Sequence, residues 1–259
     1  MKRIYNRNIP APLPPHRMLQ RAAPPVTYAD LSMFCGPMND QLNEGCCTGE
    51  AGVNDGEWIV RKYLPGLGPL VFSPQYTYIK ELQAQGTFPN DTGSDGNTLC
   101  ETMIAKGLCR LDVFPFVPGK IIAPTLEQET NASYHKIVGA YHGLVGSQTA
   151  LSVLVDLTPW PILMGFTVLR SFESDETAST GIYNPKPGET VMGGHEMLVV
   201  GFDVNPTPII RPKNCPPAVK AQNSWGPDWG LGGFVWLALG VVDDKDTDLK
   251  VAHYGAPWK

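Results

Sequence analysis

The chain has 259 residues of which 42% are apolar, enough to bury a sizeable core as one or two closely packed domains. Its net charge of −5, with no cluster of Lys and Arg, excludes the electrostatic footprint of a nucleic-acid or anionic-membrane binder, so neither partner is expected. No apolar run approaches the roughly 20 residues that span a bilayer, and Met1-Lys2-Arg3-Ile4-Tyr5-Asn6-Arg7 carries positive charge with no apolar stretch behind it, so no secretory signal is expected and a cytoplasmic or virion-associated location is favoured.

Residues 1–29 form a proline-rich arm. Ile9-Pro10-Ala11-Pro12-Leu13-Pro14-Pro15 and Ala22-Ala23-Pro24-Pro25 fix φ and remove N–H donors, which predicts an extended segment and not a helix. Such an arm must pack on something: its own domain surface, a neighbouring chain, or a cleft that it covers. Residues 30–259 are the expected folded domain. Ala51, Val53, Trp58, Ile59 and Val60 can form a buried stripe on a helix over 48–63, ended by Pro65-Gly66-Leu67-Gly68-Pro69. A second helix is predicted over 75–85, then the polar loop Phe88 to Asn97, then a short helix over 98–106. From Val113 the chain becomes proline-punctuated, with a helical stretch near 147–155. After Pro159-Trp160-Pro161, apolar runs at 162–169, 181–183, 195–202, 218–222 and 233–239 read as an antiparallel sheet or small barrel. The fold class is therefore α+β, helical over about 30–112 and mainly β over about 113–259.

Three stretches carry chemistry. Asp40-Gln41-Leu42-Asn43-Glu44-Gly45-Cys46-Cys47-Thr48 places a glutamine six positions before a cysteine at a helix start. Unpaired N–H groups and the positive end of the helix dipole favour a thiolate there. Met192-Gly193-Gly194-His195-Glu196 puts a histidine at the head of an apolar, β-branched run. Gln222-Asn223-Ser224-Trp225-Gly226 places an asparagine beside a tryptophan in a glycine-rich turn.

In order and spacing these residues resemble the papain-like cysteine peptidases over roughly residues 30 to 240. The resemblance implies a two-lobe fold with the active-site cleft between a helical first lobe and an antiparallel sheet or barrel second lobe. It implies Cys47 as nucleophile, His195 as its base and later acid, Asn223 as the residue that orients the imidazole, and Gln41 as a side-chain donor to the oxyanion. Trp225 would shield the His–Asn bond from water. Gly93, Ser94, Asp95 and Gly96 are then candidates for pairing with a substrate backbone. Met192, Gly193, Gly194 and Glu196 fall near the floor of a subsite for an apolar side chain or, given Glu196, a basic one. Cys46 is the rival nucleophile, but the step from Gln41 favours Cys47, and Cys46 reads as a packed small side chain. Glu44 stands where many secreted members have a disulfide cysteine, and the 28-residue step from His195 to Asn223 holds an inserted surface excursion at 205–217.

The expected activity is endopeptidase cleavage of a peptide or protein substrate, with no cofactor and no metal. A papain-like scaffold used as a structural or binding component, or an amidase or transpeptidase with the same residues, are the alternatives. Among six cysteines, Cys35 and Cys109 are the pair considered for a bridge, with Cys100 and Cys215 free. His16, His135, His142 and His253 are expected in loops or on helix faces without a role.

Overall fold

The computed structural model describes residues 3–254; Met1 and Lys2, the first residues of the arm, and residues 255–259 lie outside it. In chain order the elements are β1 (Met18–Leu19), β2 (Tyr28–Asp30), α1 (Cys47–Tyr63), α2 (Pro74–Gln85), α3 (Gly96–Lys106), α4 (Leu126–Ser133), β3 (Ala140–Leu144), α5 (Gly146–Leu154), β4 (Ile162–Leu169), α6 (Asp175–Thr180), β5 (Ile182–Tyr183), β6 (Val191–Asp203), β7 (Ala218–Gln222), β8 (Phe234–Ala238), α7 (Leu239–Val242) and β9 (Asp248–His253), with short 3-10 turns between some of them.

The helices start and stop where their residues dictate. Ser73 caps α2 by accepting from the Tyr76 N–H, with Pro74 at the first helical position and Gly86 in the left-handed region closing it. Asp95 caps α3. Helix α1 is buried along every residue from Cys47 to Val60 and packs against α2, α3 and β6, so it is the axis of the molecule and not a surface helix. Helix α4, in a region expected to be loop, has a full capping box in which Thr125 and Gln128 satisfy each other's backbone N–H groups. That Thr-x-x-Gln signal was present in the sequence.

The strands form one nine-stranded sheet among the described residues, in the order β1-β3-β9-β4-β6-β7-β8-β5, with β2 added on β6. Pairing is mostly antiparallel, as expected, with the β1–β3 and β5–β8 pairs parallel. The arm contributes β1, which edges the sheet on β3, and begins β2, which adds to the end of the interior strand β6. Strands β3 and β9 were not anticipated; they put His142 and His253 on strands and not in loops or on helix faces, with the His253 ring buried and stacked on His142 at 5.5 Å. All six cysteines are free: Cys109 packs with Tyr76 and Ile79 while Cys35 lies against the main core, so the expected pair sits in separate clusters. The 205–217 excursion lies at the surface as expected, anchored by the buried Arg211 and Cys215. Asp203 accepts the backbone N–H groups of Ile209, Ile210 and Arg211 and the Arg211 guanidinium, and against its burial these bonds bring its carboxyl down to about 2.

Candidate active site

Cys47 is the first residue of α1, with Cys46 before it at the cap position. The loop leading to them is fastened to the asparagine turn: the Gln41 N–H donates to Ser224 O at 2.9 Å and the Ser224 hydroxyl donates to Gln41 Oε1 at 2.6 Å. Gln41 Nε2 gives one hydrogen to Glu44 O at 3.0 Å, and an amide nitrogen has a second. The first N–H groups of α1 have no intrahelical acceptor. Glu44 stays buried by accepting from Gln75 Nε2 and the Gly119 N–H, so a carboxylate ties α2 to the 117–119 loop. Cys46 packs with Tyr78 and Leu82, and burial, helped by the nearby Glu50 and Glu44 carboxylates, pushes its thiol well above the ordinary range.

His195 lies on β6, buried, with Nε2 at 2.8 Å from Asn223 Oδ1. The Ser224 N–H donates to the same oxygen at 2.8 Å, which settles which end of the amide faces the ring. A carbonyl oxygen only accepts, so Nε2 carries the hydrogen and Nδ1 keeps its lone pair, with no hydrogen-bond partner among the described residues. Trp225 is 5% exposed and its ring centroid lies 5.3 Å from that of His195. Burial pushes the Cys47 thiol up to about 12, with the nearby Glu196 carboxylate adding to the effect, and burial brings His195 down to about 4. Burial thus works against charge on both groups, and so against the thiolate that the helix start favours.

The desolvation has an identifiable source: the arm runs through the cleft. Arg3 pairs with Asp40 at 2.6 Å and lies over the Trp225 ring. The Tyr5 ring stands edge-on to His195, 6.3 Å between centroids, and its hydroxyl donates to Glu173. Asn6 bridges to Gly194, Arg7 N donates to Gly194 O at 3.3 Å, and Asn8 N donates to Ser94 O at 2.6 Å. Gly93 has φ +75°, and a Cβ there would lie 1.5 Å from Asn6 O, so only glycine leaves the arm its path.

The expected substrate contacts thus divide. Gly93, Ser94, Gly193 and Gly194 line the channel that the arm fills, and Trp225 covers the imidazole. Asp95 is committed to the α3 cap through the Asn97 and Thr98 N–H groups. Gly96 opens α3 and faces Asp248 and Lys250. Met192 is 40% exposed and lies on the outer rim beside Arg170, Glu173 and Thr190. Sequence reasoning passed over Arg7, Asp91, Ser224, Asp248 and Lys250. Asp91 holds the Gly45 N–H and the Tyr78 hydroxyl, joining the polar loop to the cysteine loop. The alternation of Asp248 and Lys250 with Leu249 and Val251 was a readable strand signal.

Behind Cys47, Glu81 accepts the Thr48 hydroxyl at 2.6 Å, and burial pushes its carboxyl up to about 8 from the ordinary 4.5. In the unfolded chain this group ionises near 4.5, whereas the folded protein keeps its proton until about 8. Folding stability from this group is therefore lost as pH rises across that window. Urea unfolding at pH 5 and pH 8 should show a larger loss in the wild-type chain than in Glu81→Gln; equal losses would mean that Glu81 ionises normally.

A family profile described as papain family cysteine protease matches residues 92–252. An uncharacterized peptidase C1-like protein of Acanthamoeba polyphaga mimivirus is 28% identical over 179 residues, covering 66% of this chain and 54% of the relative. The chain thus spans about half the length of that relative. Cathepsin C of Schistosoma mansoni is 25% identical over 144 residues, covering 48% of this chain and 30% of its own. In three dimensions the chain is similar to xylellain, a cysteine protease from Xylella fastidiosa, with a TM-score of 0.80 at 16% identity over 97% of both chains. It is also similar to procathepsin B of Trypanosoma congolense, with a TM-score of 0.68 at 14% identity over 95% of this chain and 82% of the other.

Proposed function

Because this chain belongs to the papain family of cysteine proteases, we propose that it hydrolyses peptide bonds within protein or peptide substrates through Cys47, His195 and Asn223. The observation that carries this reading is the His195 Nε2–Asn223 Oδ1 bond, which leaves Nδ1 as a free base in a chain ordered Gln41, Cys47, His195, Asn223. The residues 30–112 and 113–259 would form the two walls of the cleft. With the arm displaced, His195 Nδ1 takes the Cys47 proton and Sγ attacks the substrate carbonyl carbon. The oxyanion receives the uncommitted Gln41 Nε2 hydrogen and the Cys47 backbone N–H. His195 then protonates the leaving amine, and in the second half it takes a proton from the water that cleaves the thioester. The arm restrains this chemistry in the state described, since it fills the channel beside the reacting groups.

The filled cleft also supports a second reading, in which the scaffold is kept for binding and the thiol is never unmasked. Labelling at neutral pH with an epoxide-type cysteine-peptidase inhibitor, with mass spectrometry to locate the adduct, separates the two. An adduct at Cys47 in the full-length chain or after weakening the arm supports the peptidase; no adduct in either form overturns it. Within the first reading, Gln41→Ala should lower kcat on the order of 10²–10³-fold, the usual cost of one oxyanion donor. Steady-state hydrolysis of a fluorogenic peptide measures it, and an unchanged kcat removes Gln41 from the oxyanion site.

A further inference from the structure

The cleft holds a second built feature beside the reacting groups. In the sheet, Gly165 of β4 is paired with Glu196 of β6 on one side and with Asp248 of β9 on the other. Residues in register on neighbouring strands point to the same face. Two carboxylates therefore flank a position with no side chain. The Arg7 guanidinium lies on that gap: a Cβ at Gly165 would be 1.9 Å from its Cζ. Arg7 Nε donates to Glu196 Oε2 at 2.7 Å and Nη2 donates to Asp248 Oδ2 at 3.0 Å. Gly96 closes the pocket from the α3 side, again without a side chain. The Arg7 and Glu196 side chains are 1% and 0% exposed.

The pocket is shaped for a cation and not merely lined with acids. Lys250 pairs with Asp248, offsetting one of the two carboxylates. Without Arg7 one negative charge remains, on a fully buried Glu196 whose Oε1 has no hydrogen-bond partner even with the arm in place. A buried carboxylate without a partner is costly, so the empty pocket holds either a proton on Glu196 or an incoming positively charged group. A planar fork with several N–H donors satisfies both acids at once, where an ammonium serves them as a point charge. Asn6, the neighbour of Arg7, sits between Gly45 ahead of the cysteine pair and Gly194 ahead of His195, so the pocket takes a side chain one residue from the reaction centre.

We propose that this acidic pocket, which Arg7 fills from within the chain, selects an arginine side chain of the substrate adjacent to the residue whose carbonyl is attacked, so that substrate and arm compete for one seat. The proposal rests on the peptidase reading for the substrate's role, but the pocket's preference for a guanidinium can be read without turnover.

The test uses the full-length chain carrying Arg7→Ser and peptides of the form acetyl-Xaa-Gly-aminomethylcoumarin. Arginine at Xaa should exceed leucine by roughly tenfold to a hundredfold in kcat/KM, with lysine between them, and adding Glu196→Gln should collapse the difference. Cleavage of the leucine peptide as fast as the arginine peptide overturns the proposal while leaving the peptidase standing. Should no peptide be cleaved, thermal unfolding decides the pocket, and the Cys47 adduct decides the peptidase reading separately. Nα-acetylarginine amide should raise the melting temperature of Arg7→Ser more than Nα-acetylleucine amide does, and not that of Arg7→Ser/Glu196→Gln. Equal shifts, or none, overturn it.

Discussion

Reversing the charge at Arg7 should raise the alkylation rate of Cys47 in the otherwise intact chain on the order of 10²–10³-fold. Arg7→Glu removes the cation from a buried pair with Glu196 and Asp248 and sets a third carboxylate against them. Breaking a buried pair costs about 3–5 kcal/mol, and each 1.4 kcal/mol is a factor of ten in the closed-to-open ratio. The arm's remaining holds are weaker: the Arg3–Asp40 pair is partly exposed, and Asn6 to Asn8 contribute a short backbone pairing. Chain integrity is checked by the adduct map. The other cysteines are buried or half-buried in the core, so a released arm labels Cys47 alone, whereas unfolding labels all six. The pH profile gives a second readout. With the arm in place the thiol ionises only toward pH 12. Removing the burial lowers the Cys47 pKa and raises that of His195, so the onset of alkylation moves to lower pH. An unchanged rate and profile in Arg7→Glu would mean that the arm does not govern access.

In the same Arg7→Glu background, Cys47→Ala should abolish peptide hydrolysis, a loss on the order of 10⁴-fold or more, because no other group at that position can form the acyl intermediate. The substitution is small and buried, so the fold should survive it. Cys46→Ala is the matched control: its thiol lies among Tyr78 and Leu82 and should leave turnover within a few-fold. Fluorogenic hydrolysis of both variants, with melting temperatures to confirm folding, measures this. Loss of activity in Cys46→Ala with retention in Cys47→Ala would reverse the assignment of the nucleophile.

Much of the helical framework was legible because it is locally encoded. The stripe predicted over 48–63 is helix Cys47–Tyr63, and the breaker after it, the Ser73 cap and the strands at 162–169 and 218–222 are where turn and periodicity signals place them. The order Gln41, Cys47, His195, Asn223 was equally readable, and the fold brings His195 onto Asn223 and Gln41 onto Ser224. What escaped was of two kinds. Short or edge elements, such as β1, β3 and β9, carry too few residues for a period to stand out, and the capping box of α4 was overlooked among prolines.

The second kind lies beyond any local signal. Arg7 meets Glu196 and Asp248 from 189 and 241 residues away, and nothing near Arg7 in the sequence announces two acids. The protonation of Cys47 and His195 is likewise decided by what covers them, and a remote arm supplies that cover. Sequence by itself determined the order and spacing of Gln41, Cys47, His195 and Asn223, on which the resemblance and the proposed roles rest. Only the tertiary structure decided that those groups are buried and that the arm lies over them, because burial and charge pairing depend on register across the sheet and on where an extended segment comes to rest.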